Sequence, residues 1–318
     1  MTMRNWISGA SLCSPSRAAL LTGRLSVRTG IYPETFAPDA VFGLPPNETT
    51  VATHLQAKGW RTMAIGKWHL GHLPPFLPTS HGFDHYLGVP FAAGSGSTIE
   101  PPNRCADDPN GTRWMPLFRD EAIAQAPANL SSLSSQYAEA ARSFVASAAP
   151  GPAPFLLYMA FSHMHQICAP GSPPGDRQWG DPRFRVLAEQ TTAGGRVAAS
   201  LAEVDWLTGE VLDALRTAGV EEDTLVFWVS DDGPWTVSAA APFASSFEAQ
   251  SSGCTVGAAQ LRVCRAVFQP LGARQHRQLL HRLPRRLCAH PEPRAAAALH
   301  LLRLHAEASL PDRRHPVR

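Results

Sequence analysis

The residues with the clearest chemical potential begin at Cys13, in the string Cys13-Ser-Pro15-Ser-Arg17. Ser14 can accept hydrogen bonds from backbone amides of the first turn, Pro15 suits the first helical position, residues 18–21 propagate the helix, and Gly23 can end it in a left-handed cap. Cys13 is therefore predicted at the positive end of a short helix, where negative charge is favoured, with Arg17 one turn further on the same face. A buried, unreactive thiol is the alternative for a cysteine taken alone.

Lys67 and His69 form a second candidate group, in the string Gly-Lys67-Trp-His69-Leu-Gly71. A short strand is predicted just before it, at residues 61–65, and on an extended chain two residues at this spacing point to one face. An ammonium beside an imidazole could bind an oxyanion and transfer a proton. A solvated lysine and a surface histidine on a loop are the alternative.

A pair of histidines follows a continuous apolar run at residues 154–161. Such a run predicts a parallel strand buried on both faces, and open α/β sheets place their sites at the carboxyl ends of their strands. His163 and His165 stand at that end. A structural histidine is the alternative for either of them.

Two adjacent carboxylates, Asp231 and Asp232, follow a second apolar run at residues 224–229. This run also predicts a buried strand. Neighbouring carboxylates before a Gly-Pro turn suit a hard divalent cation such as Ca²⁺ or Mg²⁺. An acidic turn without a metal is the alternative.

These side chains must be positioned by an α/β fold, because helical and strand-like apolar patterns alternate along the chain. Residues 51–58, 130–148 and 196–218 have apolar residues at helical spacing. The stripe of the second helix is Leu133, Tyr137, Ala141 and Phe144, and that of the third is Leu201, Val204, Leu207, Val211 and Leu215.

The strings around Cys13 and Lys67 resemble the two signature motifs of the sulfatase family. Cys-x-Pro-Ser-Arg followed by Leu-Thr-Gly-Arg matches eight positions of the first motif within twelve residues, and the string at residues 66–71 matches the second. The resemblance covers roughly residues 8–245 and implies an alkaline-phosphatase-like α/β sandwich with a mainly parallel central sheet. Only twelve residues precede Cys13 and none is acidic, so the sheet is expected to lack its first strand and the metal-binding aspartates that this strand supplies in the family.

The resemblance implies a nucleophile made from Cys13. A formylglycine-generating enzyme would oxidise this cysteine to formylglycine, whose hydrated form has two hydroxyl groups. One hydroxyl attacks sulfur, and the other expels sulfate from the resulting ester. Asp231, Asp232 and residue 13 would bind Ca²⁺, or alternatively Mg²⁺. Asp232 stands where the family usually has asparagine, which changes the charge of the site without removing a metal ligand.

The resemblance also implies roles for the cationic and titratable groups. Lys67 would neutralise the sulfate, Arg17 would orient the diol, and His69 would assist the expulsion of sulfate. His165 would protonate the leaving oxygen of an aryl or sugar sulfate ester, with His163 as its alternate. The implied partners are a sulfated small molecule or glycan and the formylglycine-generating enzyme.

Several departures from the family predict that activity is impaired. No lysine follows Lys67, and the chain has no Thr-Thr-x-Glu-Gly-Gly string, although the family binds sulfate with both. Phe91-Ala-Ala stands where the family often has a hydrogen-bonding Ser or His. The alternative from another class is a catalytically inactive sulfatase-like isoform that acts, if at all, by binding. A third reading, phosphate-ester hydrolysis by unmodified Cys13, is disfavoured because the string around it is the recognition string for formylglycine formation.

The charge of the chain changes sharply near residue 250. Residues 250–318 carry a balance of +9 from twelve arginines, whereas the preceding 249 residues carry −7. Two segments are therefore predicted, an incomplete sulfatase catalytic domain at 1–249 and an Arg-rich segment at 250–318 that is disordered or poorly packed. A basic helix that binds nucleic acid or a membrane surface is the alternative for this segment; a shifted reading frame or alternative exon is favoured, so no nucleic-acid partner is predicted.

Three Asn-x-Ser/Thr sequons, at Asn47, Asn110 and Asn129, indicate a glycoprotein of the secretory route. The family resemblance adds the lysosome as a destination. Residues 1–7 contain no apolar signal-peptide core, which predicts that an N-terminal piece is missing. No apolar run reaches the ~20 residues of a membrane helix. The six cysteines show no paired CxxC spacing and therefore predict neither a zinc site nor a disulfide framework.

Overall fold

A computed structural model describes residues 7–92, 115–163, 165, 181–184 and 195–232. All of them lie in the first of two compact units, Met1–Arg265; the second, Ala266–Arg318, lies outside the described residues. The predictions for residues 250–318 and the predicted boundary at 249 fall outside them as well. Within the described ranges, no helix is both long enough and apolar enough to cross a membrane.

Five helices and five strands are present in the described chain: three helices precede the first four strands, and the last strand lies between the two long helices. The helices are α1 (Cys13–Thr22), α2 (Ser26–Thr29), α3 (Val51–Gln56), α4 (Leu130–Ala148) and α5 (Gly195–Thr217), with 3-10 turns at Pro74–Phe76 and Pro78–His81. The strands are β1 (Arg61–Gly66), β2 (His85–Gly88), β3 (Leu117–Arg119), β4 (Ala122–Gln125) and β5 (Phe155–Ala160).

The strands form one mixed sheet in the order β4-β3-β2-β1-β5. β1 pairs in parallel with both β2 and β5, while β3 pairs antiparallel with β2 and β4. In the described part of the chain, β1 is therefore the one strand partner of β5, which forms an edge of the sheet. The carboxyl ends of β1 and β5 meet at one end of the sheet, so the residues that follow them are brought together.

Successive residues of the central strands point to opposite faces and build two apolar layers. Met63 and Ile65 pack with α4 through a cluster that includes Leu133 and Tyr137. Ala64 lies on the other face, in a cluster with α1, α3 and the residues after β1. Helices thus cover both faces of the sheet. The predicted α/β sandwich is confirmed, with a parallel centre and an antiparallel extension.

The two long helices form where the sequence predicts them. α4 begins after Asn129, whose side-chain oxygen accepts a hydrogen bond from the Ser131 amide, and all four predicted stripe residues are buried. α5 lies within one residue of its predicted bounds. Val204, Leu207 and Leu215 are buried as predicted, but Leu201 is 52% exposed. The stripe of α5 therefore begins one turn later than the periodicity indicates.

The predicted buried strand at residues 224–229 is wrong. These residues have no regular secondary structure, and Leu225 is 89% exposed, with Phe227 and Trp228 each at 44%. A strand buried on both faces needs a hydrogen-bonded neighbour and a covering layer on each side. In the described part of the chain no strand pairs with this segment.

A buried histidine makes the fold sensitive to acid. His81 is 1% exposed and its ring lies 5.9 Å from that of Trp68, at 34°. Burial lowers the pKa of His81 from 6.5 to about 4. The unfolded chain therefore binds a proton at a higher pH than the folded chain does, so the stability associated with the neutral ring is complete above pH 6.5 and is lost as the pH falls toward 4.

We expect this group alone to lower the free energy of unfolding by about 2 kcal/mol between pH 7.5 and pH 5. A His81→Phe variant keeps an aromatic ring beside Trp68 but has no proton to bind. Urea unfolding at several pH values should therefore show a smaller loss of stability for the variant than for the wild type. If the difference in unfolding free energy between His81→Phe and the wild type stayed constant from pH 7.5 to pH 5, the acid sensitivity would not come from His81.

Candidate active site

The first helix begins at Cys13, two residues before the predicted first position at Pro15, and the predicted capping bond of Ser14 is not formed, since no side chain among the described residues caps this helix. Cys13 still lies at the positive end of the helix, as predicted. The Ser16 amide donates the opening helical hydrogen bond to the Leu12 carbonyl at 3.0 Å, and Gly23 ends the helix with a left-handed φ of 66°. Cys13 is a free, half-buried cysteine. Its thiol lies at the mouth of the site, at the positive end of α1.

β1 delivers Lys67 to the same point. The Lys67 amide follows Gly66 and donates to the Ala160 carbonyl of β5 at 2.7 Å, which fixes the start of the loop after β1. Only 2% of Lys67 is exposed, and its Nζ lies 3.0 Å from Cys13 Sγ. The ammonium can therefore donate directly to a group at the end of side chain 13.

Arg17 ties the two motifs to the carboxylate that follows residue 230. Its guanidinium is 5% exposed and donates to the Lys67 carbonyl and to Asp231 Oδ2, each at 2.6 Å. Ser16 adds a short hydrogen bond from its hydroxyl to the Asp231 carbonyl. Burial alone would lower the pKa of Arg17, but the charge of Asp231 raises it above its ordinary value. Arg17 is therefore a permanent cation that joins α1, the loop after β1 and residue 231.

The two aspartates and Cys13 form the one cluster in the described residues that could hold a metal ion. One ligand atom from each of Cys13, Asp231 and Asp232 lies within 4.8 Å of the others. Burial would raise the pKa of Asp231, but the charges of Arg17 and Lys67 outweigh it and hold that pKa below its usual range. Burial, then the charge of Asp231, raises the pKa of Asp232 to about 8. Crowded carboxylate oxygens of this kind suit Ca²⁺ or Mg²⁺, and an oxygen in place of the soft Cys13 sulfur would complete a hard donor set.

His69 differs from the expectation of an extended chain, because its φ is 57°. The left-handed backbone turns its ring toward Phe36, whose carbonyl lies 3.0 Å from Nε2. A carbonyl only accepts, so Nε2 carries the hydrogen and Nδ1 has the lone pair. Nδ1 is buried and has no hydrogen-bond partner among the described residues. Burial, then the charges of Lys67 and Arg17, lowers the pKa of His69 well below its ordinary value, so the ring is a neutral proton acceptor.

The two histidines after β5 have different surroundings. His165 is half-buried, and its charge acts on both Asp231 and His69, so it belongs to the same electrostatic cluster. The His163 side chain is fully buried against Glu203. This separation favours His165 over His163 as the group that can reach a substrate.

The predicted glycosylation sites are partly described. Asn47 and Asn129 are exposed, as attachment of a glycan requires. The side-chain oxygen of Asn129 caps α4, which leaves its nitrogen available for the sugar. Asn110 lies outside the described residues.

Sequence reasoning missed two participants. The carbonyl of Phe36 fixes the His69 tautomer, and no side-chain pattern could reveal a backbone group. Glu203 is fully buried, and its signal was available, because it stands four residues before the predicted core residue Leu207 and so falls on the same helix face. A carboxylate on an apolar stripe indicates a buried partner.

The chain is similar in sequence to known proteins. The family model described as Sulfatase matches residues 1–254. Arylsulfatase G of Canis lupus familiaris is 40% identical over 246 residues, which cover 72% of this chain and 43% of that protein. Human arylsulfatase A is 37% identical over 236 residues, covering 71% and 44%. The chain thus spans less than half the length of these curated relatives.

The fold has solved counterparts. The crystal structure of the PsFucS1 sulfatase from Pseudoalteromonas sp. is 24% identical, with a TM-score of 0.52, and the match covers 69% of this chain and 44% of that one. At this identity the likeness concerns the fold alone, and it agrees with the sandwich described above. The family match over residues 1–254, the identity to the arylsulfatases and this fold confirm the resemblance in the sequence: the chain belongs to the sulfatase family.

Proposed function

We propose that this site hydrolyses sulfate esters of aryl or sugar groups, with formylglycine derived from Cys13 and a divalent metal. The observation that carries the proposal is the 3.0 Å approach of Lys67 Nζ to Cys13 Sγ, at the positive end of α1. The sulfur stands in for a hydroxyl oxygen of the hydrated aldehyde. A hydrated formylglycine supplies one hydroxyl to attack sulfur and a second with which sulfate is expelled.

The chain's own residues bind and orient. Lys67 donates to the oxygen at position 13 and to the sulfate that forms there, which neutralises negative charge as it develops. Arg17 holds Asp231 ionised and keeps α1 in register with the loop after β1. Because both residues are almost fully buried, their charges are weakly screened by water.

Proton transfer falls to the two histidines. His69 is neutral, with a free lone pair on Nδ1, and so can accept the proton of a hydroxyl group when sulfate is expelled. His165 would give a proton to the leaving oxygen.

Asp231, Asp232 and the oxygen at position 13 would hold the metal, with Ca²⁺ as the proposed ion and Mg²⁺ as the alternative. The metal would supply positive charge that lowers the pKa of the attacking hydroxyl. The raised pKa of Asp232 supports this assignment, because two carboxylates so close together share one site unfavourably until a cation balances them. That the departures from the family impair this activity remains a prediction from the sequence.

We also propose a lysosomal or secretory destination, with the formylglycine-generating enzyme as a partner on that route. Exposed sequons at Asn47 and Asn129 and the relatedness to arylsulfatases support it. Enzymatic removal of glycans should increase the gel mobility of the wild type. In the Asn47→Gln and Asn129→Gln variants this increase should be smaller, because each variant lacks one glycan. A chain that reaches the medium of secretory cells without either glycan would count against glycosylation.

The proposal is tested by mass spectrometry of the peptide that carries Cys13, from the full chain expressed in secretory cells, followed by turnover of a sulfated phenol. An aldehyde at position 13 and hydrolysis that stops with a chelator and returns with Ca²⁺ would support it. The Cys13→Ala variant, which cannot be oxidised, should show no hydrolysis. An intact thiol, or an aldehyde without turnover, would overturn catalysis by this chain; binding of the sulfated phenol in the latter case would support the non-catalytic alternative.

A further inference from the structure

The end of β5 is fastened to α5 by a buried polar contact that the proposed chemistry does not use. Glu203 Oε1 lies 3.1 Å from His163 Nε2, and both side chains are 0% exposed; this is an electrostatic contact without hydrogen-bond geometry, since Glu203 Oε1 accepts no hydrogen bond among the described residues. The hydroxyl of Ser134, on α4, lies 3.2 Å from the same nitrogen. Three elements, α4, α5 and the end of β5, therefore meet at His163.

The second oxygen of Glu203 holds another part of the chain. Oε2 accepts a hydrogen bond from the Asp181 amide at 2.8 Å. Asp181 is itself bound by Arg183 at 2.7 Å, and the Arg183 guanidinium lies 4.5 Å from the ring centre of Trp206, also on α5. One carboxylate thus lies against the ring of His163, just after β5, and is hydrogen-bonded to the chain at residue 181.

His165 lies between these two anchored points. It is separated from His163 by one residue, and two residues of extended chain span at most about 7 Å. The charge of His165 acts on Asp231 and His69, which ties its position to the cluster around Cys13. A fixed His163 ring therefore limits where the His165 imidazole can lie.

A buried carboxylate such as that of Glu203 contributes little to the stability of a fold. Taking it out of water costs several kcal/mol, and apolar replacements of buried ion pairs are often neutral or stabilising. Glu203 also stands on the apolar face of α5, four residues before the buried Leu207. A carboxylate at this position is suited to fixing the positions of the His163 ring and the Asp181 amide.

We propose that Glu203 is a positioning residue that holds His165 in the site, through His163 and the Asp181 amide. This inference rests on the proposed function for the role of His165, but the position of that ring can be measured without turnover. The full chain labelled with ¹³C at the Cε1 position of histidine gives one ring C–H resonance per histidine, and single His→Gln variants assign those of His69, His81 and His165.

The deciding variant is Glu203→Leu, with His163→Gln as a second variant that breaks the same contact from the other side should the first fail to fold. Glu203→Gln is the conservative variant, because an amide can still accept from Asp181 and still face His163. Glu210→Gln is the matched control: Glu210 is on the same helix but forms its ion pair with Arg142 of α4 and not with His163.

The expected result is a shifted or broadened His165 resonance in Glu203→Leu and His163→Gln, with the His81 resonance unchanged. Glu203→Gln should return the His165 resonance toward its wild-type position, and Glu210→Gln should leave it unaltered. A wild-type His165 resonance in a folded Glu203→Leu chain would overturn the proposal. An equal disturbance of all three histidines would also overturn it, because Glu203 would then be a general core residue.

Kinetics provide a second readout where the wild type turns over. Loss of positioning should lower kcat about tenfold or more with little change in KM, since a misplaced acid affects the transition state rather than binding. A wild type without turnover would count against the proposed function alone, and the resonance test would still decide the role of Glu203.

Discussion

Replacing Gly66 by alanine is expected to destabilise the fold by more than about 4 kcal/mol, the largest effect of any single substitution considered. Gly66 has a φ of +108°, and a Cβ there would lie 1.8 Å from the Ala160 carbonyl oxygen and 2.5 Å from its carbon. Both contacts are with backbone, so no side chain can move aside. β5 would have to separate from β1 at the point where the Lys67 amide bonds to Ala160.

The matched control is Gly59→Ala. Gly59 also has a positive φ, of +82°, but nothing lies within 4 Å of the Cβ position, so only backbone strain of about 1 kcal/mol is expected. Urea unfolding followed by tryptophan fluorescence would compare the two. Equal losses for Gly66→Ala and Gly59→Ala would show that the close approach of β1 to β5 does not limit stability.

Replacing Arg17 by alanine is expected to cost about 3 kcal/mol of unfolding free energy, because it removes the guanidinium that is paired with the buried Asp231 carboxylate. Arg17 donates at 2.6 Å to Asp231 and at 2.6 Å to the Lys67 carbonyl, and both bonds are lost together. The pKa of Asp231, which Arg17 helps to hold below its usual range, should rise. The stability difference between variant and wild type should therefore narrow as the pH falls and Asp231 is protonated in both.

Arg24→Ala serves as the control for Arg17→Ala. Arg24 binds both oxygens of Glu48, at 2.6 and 2.7 Å, but its side chain is 50% exposed. Water and salt screen such a pair, so a loss of no more than about 1 kcal/mol is expected. The comparison isolates burial, since both variants lose an arginine that binds a carboxylate. If the two arginines cost the same, the low dielectric assigned to the Arg17 site is wrong.

The parts of the fold that local periodicity determines could be predicted from the sequence. The stripe of Leu133, Tyr137 and Phe144 predicts α4 with its observed bounds, because a helix satisfies its own backbone hydrogen bonds. The continuous apolar run at residues 224–229 predicts a strand as clearly as that stripe predicts a helix, but it forms no strand. A strand depends on a neighbour elsewhere in the chain, and no local pattern indicates whether that neighbour is in place.

In the candidate site, too, the features that local sequence determines could be predicted, and those that depend on distant contacts could not. The types and spacing of Cys13, Arg17 and Lys67 predict a cationic, nucleophilic site, and the structure brings these residues together. The spacing could not predict that the His69 backbone is left-handed, because that conformation depends on contacts with Phe36. It could not pair His163 with Glu203 either, since those residues are forty positions apart and meet only after α5 packs on the sheet.

The edge formed by β5 has a consequence for how the molecule behaves in a cell. Its side chains are only half-buried between Phe155 and Met159, and no second strand pairs with it within the ranges that the structure describes. An uncovered strand edge is a template on which any extended peptide can pair. The exposed run that includes Leu225 and Trp228 adds apolar surface of the kind that chaperones bind. Release from a secretory cell would then depend on whether this edge is covered. The amount of protein in the medium would therefore measure retention of the chain by chaperones, and not its catalytic activity.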